Sequence, residues 1–106
     1  MPIAMLERRR DEYGPLETLR ATMRRRMPLP TVRYVSEDDV KVALKVTYRH
    51  RSEEIAWLPD RQEYVYRTGH ARGQMLGSDP DTAAETIATD LGVPISPRPP
   101  QRPAVP

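Results

Sequence analysis

Cysteine and phenylalanine are absent from the chain, tryptophan occurs once and histidine twice. Without cysteine there is no disulfide framework, no thiolate zinc site and no thiol nucleophile. Long apolar runs are also missing, so no segment is expected to span a membrane. The few apolar residues of the N-terminus precede the basic run Arg8-Arg9-Arg10, the reverse of a signal peptide's order. Lysine is scarce too, since fifteen of the seventeen basic residues are arginine. That bias suits phosphate recognition, but GC-rich coding also produces it and is the cause we prefer. We expect a soluble, cytoplasmic protein with no cofactor, no metal and no membrane partner.

What is present is a length of 106 residues, room for one domain. The net charge is +2. Residues 1–30 and 92–106 are basic, whereas 31–91 hold eleven acids against eight bases. Nucleic-acid binding needs a dense positive face, and the centre of this chain does not offer one overall.

The organising stretch is Glu54 to Gly69, EIAWLPDRQEYVYRTG. Ile55 and Trp57 fall on one side of an extended chain, Ala56 and Leu58 on the other. Pro59-Asp60 marks a turn. Beyond it Tyr64 and Tyr66 share a face, with Glu63, Val65 and Arg67 opposite. A register that places Trp57 against Tyr64 builds a cross-strand aromatic cluster. These aromatics either form the core of a chain with little else large to bury, or make an exposed patch that docks a partner.

Before the hairpin, Val40, Val42, Leu44, Val46 and Tyr48 alternate with Lys41, Ala43, Lys45, Thr47 and Arg49, a half-buried strand. Thr31 to Val35 is a shorter extended run that can pair with it. Leu16, Leu19, Met23 and Met27 share one helical stripe, opened by Gly14-Pro15 and closed by Pro28 and Pro30. Arg24, Arg25 and Arg26 complement the negative end of that helix's dipole; the alternative is contact with phosphate or an acidic partner. Gln74-Met75-Leu76 is a short edge strand or a cap over the core. Ser78-Asp79-Pro80-Asp81 starts a second helix, with Ala83, Ala84, Ile87, Ala88 and Leu91 as its apolar stripe and Gly92 as its stop.

The expected fold is α+β: a helix, an antiparallel meander of three to four strands, and a C-terminal helix on one sheet face, all within residues 15–92. Residues 1–14 are expected as a flexible basic arm. Residues 93–106 contain six prolines after Val93 and are expected as a disordered or polyproline II tail. There Arg98 and Arg102 flank prolines in the manner of a ligand for an aromatic groove.

The α-β-β-β-α order of residues 15–92 resembles the double-stranded RNA-binding domain. That family's second helix opens on a lysine-rich segment, whereas Asp79-Pro80-Asp81-Thr82 is acidic here. Tyr64-Val65-Tyr66-Arg67-Thr68-Gly69, Arg72-Gly73-Gln74 and Asp79-Pro80-Asp81 before an Ala-rich helix resemble small actinobacterial proteins that accompany helix-turn-helix regulators. That resemblance implies an accessory or regulatory protein and supplies no catalytic residues.

No catalytic, metal or nucleotide motif stands out. The glycines at 69, 73 and 77 lack P-loop spacing. His50 beside Glu53 and Glu54 is a weak acid–base candidate. The expected function is a non-catalytic interaction module that binds a protein partner or itself as a homodimer. Its candidate residues are Trp57, Tyr64, Tyr66, Arg24, Arg25, Arg26, Arg98 and Arg102. A nucleic-acid-associated protein working through its arginine arms is the second class, and a small enzyme or enzyme subunit the third.

Overall fold

The computed structural model describes residues 3–38, 41–69 and 71–98, with side chains for 13–36, 42–69 and 71–98. Five strands form one antiparallel sheet in sequential order: β1 (Thr31–Asp38), β2 (Lys41–Tyr48), β3 (Arg51–Leu58), β4 (Glu63–Tyr66) and β5 (Met75–Gly77). Helix α1 (Ile3–Arg26) precedes the sheet and α2 (Pro80–Leu91) follows it. The expected α+β meander is present, with Met75–Gly77 as its short edge strand. β1 reaches past Val35 to Asp38, so the β1–β2 hairpin is longer than its apolar residues suggest.

Both helices pack on one sheet face. Leu16, Leu19, Met23 and Met27 from α1 and Ala83, Ala84, Ile87 and Ala88 from α2 are all buried. They meet Val42, Leu44, Val46, Ile55, Trp57, Tyr64, Tyr66 and Leu76 in one core. The small residues of α2 let it lie close to the sheet. Asp79 caps α2 by accepting from the Thr82 backbone N–H at 3.1 Å. Gly92 ends it in the left-handed region at φ 70°, where a side chain is disfavoured.

At the ends the structure adds to the sequence reading. Helix α1 begins at Ile3, inside the segment expected as an arm, and carries Pro15 in its interior. The run from Ala4 to Glu12 is rich in strong helix formers. It continues the helix although proline removes one backbone donor. Residues 93–98 of the expected tail are described and lie against the fold. Val93 is buried and half-buried Ile95 packs against the core. The Ser96 N–H donates to the carbonyl of Arg26, the last residue of α1, at 2.8 Å. Helix ends leave carbonyls without intrahelical partners, and Ser96 supplies a donor that its neighbouring prolines cannot. Residues 99–106 lie outside the described residues.

Candidate functional site

The aromatic residues fall on the helix side of the sheet. Trp57 and Tyr64 are register partners with ring centroids 4.8 Å apart in an edge-to-face arrangement. Trp57 is 7% exposed, Tyr64 and Tyr66 1% each. Of the two readings open for these residues the structure takes the core, and an exposed aromatic patch is excluded at these positions. Both phenols still find acceptors, as buried hydroxyls require. Tyr64 donates to the Pro15 carbonyl at 2.6 Å, and Tyr66 to the Asp90 carboxylate at 2.6 Å. Burial pushes the Tyr64 phenol up to about 12. Burial and the Asp90 carboxylate raise Tyr66 further.

The arginines separate. Arg24 and Arg25 are exposed, but Arg26 is 3% exposed and belongs to the fold. Its guanidinium donates to Asp81 at 2.9 Å, to Glu85 at 2.8 Å and to the Ser96 carbonyl at 3.1 and 2.9 Å. A phosphate contact by Arg26 is therefore excluded. Arg98 joins Glu85 from the tail side, donating to it at 2.7 and 2.8 Å and to the Thr82 hydroxyl at 3.0 Å. Held by Arg98 and then by Arg26, the Glu85 carboxyl falls to about 2. Arg98 is thus an intramolecular strap contact, while Arg102 lies outside the described residues, as does His70. His50 is exposed in the β2–β3 turn.

A hollow of about 440 Å³ lies at the end of α1, lined by Arg20, Arg24, Met27, Pro28, Pro30 and Val32. It is a poor anion site. The helix C-terminus presents partial negative charge, and Arg20 already pairs with Glu17 at 3.1 Å. Tyr34 donates to the same Glu17 at 2.5 Å and meets the Tyr13 ring edge-on at 5.2 Å. This cluster fastens α1 to β1, and the Tyr34 bond holds Glu17 below the usual carboxylate range.

The face of the sheet turned away from the helices has a different character. Side chains alternate between faces, and the register sets Val35 against Ala43, Ala56 against Val65, and Val65 against Met75. Leu44 pairs with Ile55, which brings Ala43 beside Ala56. One apolar residue from each strand therefore forms a continuous row across all five. None of the five belongs to the helix-side core. Ala43 is fully buried, and the others are half-buried. At five strands the row is about 19 Å long, from a strand spacing of about 4.8 Å.

At the β3–β4 end this row deepens into a hollow of about 330 Å³, whose lining includes Ala56, Leu58, Val65, Arg67, Arg72 and Gly73. Arg67 donates through Nε and Nη2 to Glu54 Oε1 at 3.2 and 2.5 Å. Its Nη1 is shut from solvent and has no hydrogen-bond partner. Arg72 is exposed in the β4–β5 turn, and Gly73 beside it adopts φ 88°. A charged row of Arg33, Lys45, Glu54 and Arg67 runs parallel to the apolar one.

Sequence reasoning put Lys45 and Thr47 on this wet face but passed over Ala43, Ala56, Val65 and Met75 as a group. The available signal was an apolar residue near the middle of each strand's second face. Each is unremarkable alone, and only the register unites them.

Among the described residues no group of three or more His, Asp or Glu is placed to hold a metal ion. No described helix is long and apolar enough to cross a membrane. No family model, no curated protein and no solved structure matches this chain.

Proposed function

We propose that this protein is a non-catalytic interaction module whose open sheet face docks a partner protein. The observation that carries the reading is the five-residue apolar row in register on the face that no described helix covers. An apolar stripe of this kind flanked by charge is the usual make-up of a protein-binding surface. The aromatic candidates, with Arg26 and Arg98, serve the fold instead. The face also lacks the aromatic platform on which sheet-based modules stack single-stranded bases, which disfavours the nucleic-acid alternative.

The test is capture on the tagged full chain with nuclease present, wild type against Val65→Glu. The substitution sets a carboxylate in the centre of the row without touching the core. A protein retained by wild type through nuclease and lost by the variant is expected. Nucleic acid as the main captured species, or capture indifferent to Val65→Glu, contradicts the reading.

Self-association has one observation in its favour. β1 is eight residues long and has a sheet neighbour on one side only, an edge available for pairing with another chain. The irregular pairing between Ser36 and Asp38 interrupts that edge, and such bulges are a common guard against edge pairing. Sedimentation equilibrium across a concentration series decides it, a dimer supporting β1 pairing and a monomer at all concentrations excluding it.

A further inference from the structure

The structure points to a ligand chemistry for the open face. We propose that it takes an aliphatic, acidic segment of a partner protein, an aliphatic side chain seated on the Ala56–Val65 floor and a carboxylate held between Arg67 and Arg72. This rests on the docking-face reading and names what docks.

Length, apolarity and charge argue for this occupant. The apolar row runs about 19 Å, the span of roughly six residues of extended chain, and so suits a peptide segment better than a small molecule. Its floor of Ala56 and Val65, with Leu58 beside them, is aliphatic and shallow. It accommodates a branched side chain of the partner without any rearrangement of the core. Around it, the described basic side chains Arg33, Lys45, Arg67 and Arg72 outnumber Glu54 and Glu63, and Glu54 is already engaged by Arg67. Arg72 makes no ion pair among the described residues.

Arg67 sharpens the point. Its guanidinium is held in place by Glu54 through two nitrogens, leaving Nη1 covered and without an acceptor. That pair fixes the guanidinium plane, while about a fifth of the side chain stays exposed. A carboxylate entering beside Arg72 meets that exposed edge, and the planar guanidinium is suited to hold it.

The same charges weigh against other occupants. A second copy docked face to face would set Arg33, Lys45, Arg67 and Arg72 against their own kind. The chain's own residues 99–106 carry Arg102 and no acid, so they are repelled as well. Nucleic acid brings the right sign of charge but no aliphatic group for the floor.

The test is a titration of the ¹⁵N-labelled full chain with an acetylated, amidated hexapeptide of alternating Leu and Asp. Its Leu/Asn analogue and a single-stranded oligonucleotide serve as comparisons. The expected result is that amide shifts cluster at Ala56, Leu58, Val65, Arg67, Arg72 and Gly73. The Asn analogue should bind about tenfold or more weakly, the scale of one lost charge-assisted bond, and Arg72→Glu should weaken the acidic peptide similarly. Arg72 is exposed, so this variant keeps the fold, and its own spectrum verifies that. Equal binding of the Asp and Asn peptides at this face overturns the carboxylate recognition while leaving a docking surface. Tighter binding of the oligonucleotide at the same residues, shifts elsewhere, or no binding at millimolar peptide overturns the proposal. The docking face is judged separately, by whether Val65→Glu abolishes capture of a protein.

Discussion

Ala56 and Val65 stand directly opposite each other across β3 and β4, on the sheet face that no described helix covers. Their neighbours along each strand, Trp57 and Tyr64, are also register partners but lie on the helix side, in the core. One hairpin thus supplies both the centre of the core and the centre of the candidate docking surface. Substitutions one residue apart should have opposite consequences.

Trp57→Ala should cost about 3–5 kcal/mol, the range for removing a buried large aromatic. In a domain of this size that approaches the whole stability. Val65→Glu, on the open face, should shift stability by about 1 kcal/mol or less. Urea denaturation of both variants, followed by far-UV circular dichroism, measures the difference. Equal losses would mean that the open face is packed in solution.

Arg26 should behave unlike its two neighbours. Arg26→Ala leaves Asp81 and the Ser96 carbonyl without their donor and Glu85 with Arg98 alone. Breaking a fully buried pair costs roughly 3–5 kcal/mol. Asp81 and Glu85 keep about a third of their side-chain surface exposed, so about 2 kcal/mol is expected after solvent screening. Arg25→Ala, at an exposed position, should stay within about 0.5 kcal/mol. Thermal denaturation of the pair of variants tests the contrast.

The alkaline limb of stability belongs to the tyrosines. In the unfolded chain a tyrosine ionises near 10.0, whereas folded Tyr64 is held up to about 12, and Tyr66 is also raised. The unfolded chain therefore loses protons first as pH rises. This contribution is fully present below pH 10 and declines as pH climbs toward 12. Tyrosinate absorbance should rise together with loss of circular dichroism, and Tyr66→Phe should reduce the pH dependence.

At the acid end the strap over residues 93–98 should loosen. Glu85 is depressed from 4.5 to about 2 by Arg98 and Arg26, so its contribution is present above pH 4.5 and is lost as pH falls toward 2. Amide exchange at Ser96 reports it directly, since that N–H is bonded to the Arg26 carbonyl. Protection at Ser96 should fall in this window while protection within β2 and β3 persists.

Much of the fold was legible in the sequence because local signals agreed. The β2 alternation, the turn after Leu58, the cap at Asp79 and the stop at Gly92 each specify a local conformation, and together they give the meander and α2. The Trp57–Tyr64 pairing followed from hairpin register alone. The ends were not legible, for tertiary reasons. Pro15 marks a helix start by its chemistry, yet the preceding residues are helix formers and carry α1 through it. Proline-rich residues 93–98 have no helix or strand to join, yet Val93, Ser96 and Arg98 each meet a partner supplied by α1 or α2. The candidate docking face was hidden because its members are ordinary residues scattered over forty positions, from Val35 to Met75. Of the arginines that looked functional, Arg26 was drawn inward and Arg98 held at the surface by acids on α2 that read only as a capped, solvated helix face.

If the open face docks a partner, position 65 lies against it. A photoreactive residue placed at 65 in the full chain, irradiated in lysate treated with nuclease, tests this, with position 25 as the control. A discrete protein adduct from position 65 that is suppressed by Arg72→Glu is expected, and none from position 25. Adducts from position 25 alone, or none from position 65 while the chain still captures a partner, would place the interaction elsewhere and contradict the assignment of the open sheet face.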